Sequence, residues 1–244
     1  MNSTQSAFLI QTVGELVRDN PARSRVFECY SIDYCCGGKV PLESACAKRG
    51  LDPDRITQEL AGIDEQATDT DHDPAGMPLT ELADHIVATH HAYLQQEFPR
   101  LDFMTEKVAN AHGDAEPRLH ELRRVFLACR EELESHTNKE ENVLFPMIRE
   151  LEAADGPVSF HCGTLANPIR MMEHEHDNAG NALARFRGLT DGYTPPEWAC
   201  NTYRAMVDAL ATFERDMHQH VHKENNVLFP KALEREATLN ANGA

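Results

Sequence analysis

The sequence predicts an all-α protein, an antiparallel four-helix bundle preceded by a small helical domain. Three observations lead there. From Pro78 onward, long stretches of helical periodicity are separated by short turns. One phrase occurs twice, HTNKEENVLFPMIRELEA at 136–153 and HVHKENNVLFPKALEREA at 220–237, with eleven of eighteen positions identical at an offset of 84. The first 63 residues carry instead the caps, prolines and glycines of several short helices.

In that leading part, Thr12 is placed to cap VGELVRD. Asn20–Pro21 reads as a cap and first-turn proline for a helix ending near Cys29. Pro41 opens LESACAKR, which Gly50 closes, and Asp52–Pro53 opens DRITQELAGI. Between the second and third helices lies SIDYCCGGKV, a Gly-Gly turn with adjacent cysteines, Cys35 and Cys36. Residues 1–63 are therefore expected to form a small domain. Residues 64–77, acidic and with little to bury, read as a linker, and the bundle is expected over 78–240.

Helix A is one long amphipathic run from Pro78 to Ala111, interrupted only by Pro99, and HGDAEP turns the chain. Helix B covers Pro117 to Ala154 and is expected to be kinked or locally loosened at Pro146. DGPVSFHCGT is a loop, helix C covers Leu165 to Gly188, and TDGYTPPE is the next turn. Helix D covers Pro196 to Glu236, with Pro230 matching Pro146. Short turns between long helices make neighbours antiparallel. The repeated phrase makes helices A and B resemble C and D, a two-unit duplication.

Each copy of the phrase begins His–x3–Glu: His136 with Glu140, and His220 with Glu224. Residues four apart share a helix face, so each copy presents one imidazole and one carboxylate together. His91 and His176, 85 apart, lie 45 and 44 residues before His136 and His220. The midpoints of the two pairs fall at 113–114 and 198, in or beside the turns, so both hairpins place their histidines at one depth. That depth is about 30 Å of helix from the turns. The same counting sets His112, in a turn, apart from the cluster. His85, His90, His174, His218 and His222 are displaced from the chosen faces. Glu132 and Asp216, one turn before the B and D histidines, are candidates to orient the imidazoles, with Glu175 a weaker one. Val143, Leu144 and Phe145, with Val227, Leu228 and Phe229, read as core.

Four histidines and two glutamates in this arrangement suit a pair of first-row metals, iron above all. Two bridging carboxylates, four imidazoles and one oxo or hydroxo bridge leave about one open position on each of two six-coordinate irons. A single zinc needs fewer ligands, and oxygen-activating di-iron oxidases carry more carboxylates.

These motifs, with DYCCGGK in the short leading domain, EHDNAG in helix C and HKENNVLFP in helix D, resemble the repair-of-iron-centres family. Its members are hemerythrin-like di-iron proteins made under nitrosative and oxidative stress. The resemblance runs from about Val13 to the end of helix D. It implies two non-haem irons on His91, His136, Glu140, His176, His220 and Glu224. It also implies that Cys35 and Cys36 are the family's cysteine pair, with a redox or iron-transfer role on a tight, exposed loop. The function it implies is binding nitric oxide, supplying iron to damaged iron–sulfur clusters, or both. A nitric-oxide scavenger or reductase, and a reversible oxygen or nitric-oxide carrier, are the alternatives.

The bulk properties narrow the partners. A net charge of −17 argues against nucleic acid or an anionic membrane surface. No run of about 18 apolar residues is present, and the start lacks the pattern of a secretory signal. Seven irregularly spaced cysteines suit a reducing compartment, so the expected location is the cytoplasm, with iron–sulfur proteins as expected partners.

Overall fold

The structure, a computed structural model, describes residues 3–66 and 74–242. Half of the acidic stretch read as a linker, residues 67–73, lies outside the described residues. Among the described residues the regular structure is helical, with only two isolated β-bridges, Thr12 with Pro41 and Phe160 with Gly163. None of its helices is long and apolar enough to cross a membrane. The chain divides into two compact units.

One unit comprises Met1–Leu82, Ala154–Val158 and His218–Ala244. It begins with α1 (Ser3–Ile10), a helix beyond those expected from the sequence. Next is α2 (Val13–Asp19), started by a capping box: Thr12 Oγ1 accepts from Glu15 N at 3.2 Å, and Thr12 N donates to Glu15 at 2.9 Å. A 3₁₀ turn, Pro21–Arg23, leads into α3 (Ser24–Cys29). Helix α4 (Leu42–Arg49) ends at Gly50, whose φ of 66° needs no Cβ, and α5 (Pro53–Gln66) follows. Val13, Leu16, Phe27, Tyr34, Leu42, Ile56 and Leu60 are buried in one core. Arg23 joins α5 to it, pairing with Asp64 at 2.7 Å and donating to the Leu16 carbonyl.

The other unit comprises Ala83–Ala153 and Ser159–Met217. Helix A is α6 (Leu79–Ile86), a π-helical turn Val87–His91, and α7 (Ala92–His112). Helix B is α8 (Arg118–Lys139), a π turn Glu140–Leu144, and α9 (Phe145–Ala153). Helix C is α10 (Ala166–Leu189), uninterrupted. Helix D starts in this unit as α11 (Asn201–Lys223); its residues from His218 on, with the π turn Glu224–Leu228 and α12 (Phe229–Asn242), belong to the first unit. Within this unit the four helices pack in a ring. Asp102 on A meets Arg123 on B, and Glu121 on B meets Arg185 on C. Phe186 on C packs on Phe213 on D, and Phe213 packs on Phe98 on A. Phe98, Leu101, Phe126, Leu133, Phe186 and Phe213 fill the interior.

The loosening expected at Pro146 takes the form of a π turn, while the interruption expected at Pro99 does not occur, α7 running on through it. The Phe145 N–H reaches back to the Glu140 carbonyl, opening the ladder by one residue, and Pro146 then falls in the first turn of α9, where its missing N–H is tolerated. Phe229 N–H and Glu224 repeat this arrangement ahead of Pro230. In helix A no proline is involved; there Thr89 Oγ1 bonds the His85 carbonyl at 2.6 Å, competing for the ladder.

One core expectation fails. Val143 is 43 % exposed, while its counterpart Val227 is 2 % exposed. Helix α2 packs on the Glu224–Leu228 turn within their unit, and Val227 is covered there.

Candidate metal centre

The three π turns carry or adjoin the residues singled out by the repeat. His91 ends the first, Glu140 starts the second and Glu224 starts the third. A π turn rotates the residues around it relative to a regular helix, and such turns recur at functional positions.

Within the four-helix unit, four of the six residues converge. Glu140 lies between two imidazoles: His91 Nε2 is 3.3 Å from one carboxylate oxygen, and His136 Nε2 is 3.3 Å from the other. His176 Nε2 faces His136 Nε2 at 3.1 Å. All four side chains are buried. Donor atoms of His136, Glu140 and His176 lie within 4.8 Å of one another, close enough to hold a metal ion. In the other unit His220 Nε2 lies 3.1 Å from Glu224 Oε1, both residues fully buried.

The tautomers follow from the outer partners. His136 Nδ1 is 2.8 Å from Glu175, and His91 Nδ1 is 2.8 Å from Glu141. An ionised carboxylate only accepts, so each Nδ1 carries the proton and each Nε2 presents a lone pair. Two imidazole nitrogens at 3.1 Å beside a buried carboxylate would repel unless a cation or protons lay among them. A metal held by imidazoles whose far nitrogens donate to carboxylates satisfies every group, so the donor set fits a metal. The His136 imidazole also holds the Glu175 carboxyl down at about 2. Phe145 stacks on the His91 ring, with centroids 5.9 Å apart and planes 16° apart.

The expected orienting groups are otherwise disposed. Asp216 bonds His90 at 2.9 Å, and His90 is buried by that pairing. Glu132 lines a cleft with Glu175, Lys139 and His136. Glu175, the weaker candidate, and Glu141, which was not singled out, hold the ring nitrogens. Each neighbours a proposed ligand in sequence, Glu141 beside Glu140 and Glu175 beside His176. His112 lies against Cys200, Trp198 and Tyr203 where the turns meet.

The cysteine loop is not the exposed loop expected. Cys35 is buried, and its Sγ lies 3.2 Å from Asp33 Oδ1 and 3.9 Å from Cys36 Sγ. Asp33 also accepts from the backbone N–H of Cys35 and of Gly37. The hydrogen bond with Cys36, and then burial, push the Cys35 thiol well above its ordinary range. Residues of the second repeat hold this loop within their own unit. His222 Nδ1 meets the Tyr34 carbonyl at 3.2 Å, and Asn226 Nδ2 donates to the Cys35 carbonyl at 3.1 Å. Burial lowers His222 to about 4, so it is neutral and donates here.

The family model "Hemerythrin HHE cation binding domain" matches residues 82–232, and "Domain of Unknown function (DUF542)" matches residues 9–64. The iron-sulfur cluster repair protein YtfE of Enterobacter sp. (strain 638) is 40% identical over 230 residues, covering 94% of this chain and 100% of the relative. The proteins of the same name from Escherichia coli O1:K1 / APEC and Escherichia fergusonii match to the same extent. With its hemerythrin cation-binding domain, its DUF542 domain and this full-length likeness, the chain belongs to the YtfE family of iron–sulfur cluster repair proteins.

Proposed function

We propose that this chain is a di-iron protein of the nitrosative and oxidative stress response that binds nitric oxide and supplies iron for the repair of damaged iron–sulfur clusters. The observation that carries the reading is the buried group of imidazole nitrogens around Glu140, with His91 and His136 fixed by carboxylates on their far sides. His91, His136, Glu140, His176, His220 and Glu224 would hold the irons. The repeat supports joining the two sets, since it supplies the same His–x3–Glu pair twice. When bound, the irons supply redox-active metal with positions for a small ligand such as nitric oxide or dioxygen.

The chain's own groups then have distinct tasks. Glu140 and Glu224 place negative charge in a dry interior, where it offsets the charge of the metals. Glu141 and Glu175 hold the rings in one tautomer. The small helical domain would carry Cys35 and Cys36 as a guarded thiol pair with a redox or transfer role, reached when the loop opens. The cytoplasm, with its reducing chemistry, suits the free cysteines.

Metal analysis of the purified protein tests the reading; about two irons per chain are expected. Near-zero iron, or one zinc, would sink it. Repair and nitric-oxide reduction separate in two assays. Cluster formation on an apo iron–sulfur protein incubated with the iron-loaded chain supports repair. Nitrous oxide from the reduced protein and nitric oxide, without cluster formation, would move the assignment to a reductase.

A further inference from the structure

Where the turns of the four-helix unit meet, far along the helices from the metal residues, a cysteine and a histidine stand together. His112 is the last residue of α7, and Cys200 immediately precedes α11. His112 Nε2 lies 3.2 Å from Cys200 Sγ. The His112 ring packs on Trp198 at 5.6 Å and on Tyr203 at 6.1 Å, and Trp198 meets Tyr203 edge-on at 5.7 Å. These three aromatic contacts restrain the imidazole beside the sulfur. Cys200 is exposed.

We infer that Cys200 and His112 form a nucleophilic thiol site that undergoes exchange with low-molecular-weight disulfides. Three features support it. A thiol within hydrogen-bond reach of an imidazole is the arrangement by which cysteine nucleophiles are activated. The Cys200 carbonyl accepts the first hydrogen bond of α11, from Arg204 N at 3.0 Å, so Cys200 caps a 23-residue helix. Negative charge formed on the sulfur therefore sits at the positive end of that helix. Three of the other thiols contrast with it in access: Cys35, Cys46 and Cys129 are buried, whereas Cys200 is exposed.

The step is a two-electron exchange. His112, with its own proton on Nδ1, takes the Cys200 proton on Nε2. The thiolate attacks one sulfur of the disulfide RS–SR. The Cys200–SR bond forms as the RS–SR bond breaks, and the departing RS⁻ takes the proton from His112. Cys200 is oxidised to a mixed disulfide, and one RSH is released as the reduced product. The site is separate from the iron residues, so it gives the protein a second response to oxidising conditions, one that does not require metal.

The test treats the full-length protein with glutathione disulfide and follows each cysteine by peptide mass spectrometry. Cys29, also exposed, is the internal reference. Cys200 should acquire the adduct at least on the order of tenfold faster than Cys29. His112→Gln should bring Cys200 down to the Cys29 rate while leaving Cys29 unchanged, with helicity and iron content at wild-type levels. Equal rates at Cys200 and Cys29 in the unmodified protein would overturn the assignment, whatever the variant does. An unchanged Cys200 rate in a folded His112→Gln protein would overturn the role of the imidazole.

Discussion

At the scale of residues, the candidate centre is a matter of which nitrogen of each ring carries the proton. Glu175 and Glu141 settle that for His136 and His91 by accepting from Nδ1. Losing such a partner leaves the ring free to rotate or to adopt the other tautomer. Glu175→Ala and Glu141→Ala should therefore each weaken iron binding by about 10–100-fold, read by competition with a chelator. Unchanged affinity in either variant would show that the carboxylate does not orient the ring. The inner carboxylates are a harsher case. Glu140→Leu and Glu224→Leu replace a buried anion by a hydrocarbon of similar size, and each should cost most of the bound iron. His112→Gln should cost none, because His112 lies against Cys200 and the aromatic pair at the turns. A His112 variant lacking iron would reverse the counting argument that separated it from the cluster.

Elements show how backbone chemistry places those residues. Three of the long helices open into a π turn at or next to a proposed ligand, and two of these turns precede a proline whose missing N–H would break a regular ladder. The prolines thus accompany the shift that sets Glu140 and Glu224 in place. In the small domain, the capping box at α2 offers a direct check. Thr12→Ala should cost about 1 kcal/mol by denaturant unfolding. The Thr12 backbone N–H, and then its hydroxyl, hold the Glu15 carboxyl below its ordinary value. A depressed carboxylate stabilises the fold above its unfolded pKa, and that contribution is lost as the pH falls through the folded one. Glu15→Gln should accordingly lower stability near pH 7 and narrow its gap from the parent protein as the solution is acidified. A gap that stays constant with pH would exclude Glu15 as its source.

For the molecule as a whole, the decisive asymmetry is between the two copies of the repeat. Asn142 in the first copy bonds Asn138 in its own helix. Its counterpart Asn226, with His222 at the position of Asn138, instead holds the Tyr34 and Cys35 carbonyls. The two ends of the chain meet there within one compact unit. The approach is close enough that a Cβ on Gly14 would lie 2.3 Å from Asn226 Oδ1 and 2.9 Å from the Gly38 carbonyl. Alanine is ordinarily the better helix former by about 1 kcal/mol. Gly14→Ala, inside α2, should nevertheless destabilise the protein by about 1–3 kcal/mol. In an Asn226→Ala background part of that penalty should vanish, the contact with the Gly38 carbonyl remaining. An additive double-mutant cycle would mean that the two residues do not meet.

The sequence by itself determined the helical class, the positions of the long helices to within a few residues, the Thr12 and Gly50 caps, and the six candidate metal residues. Helical periodicity, cap chemistry and an internal repeat are local signals, and a regular hairpin converts residue counts into depth. Tertiary structure alone decided the rest. Which acid reaches which imidazole depends on neighbouring helices: Glu175, the weaker candidate, reaches His136 where Glu132 was expected, Glu141 reaches His91, and Asp216 meets His90. Cys35 reads as an exposed turn thiol because glycines and a tyrosine surround it, yet Asp33, Cys36 and the second repeat enclose it. Val143 and Val227 share a motif and differ in exposure, and α2 packs on the Glu224–Leu228 turn within its own unit. Local sequence encodes what a backbone does with its own hydrogen bonds; burial belongs to whatever distant segment arrives to cover it.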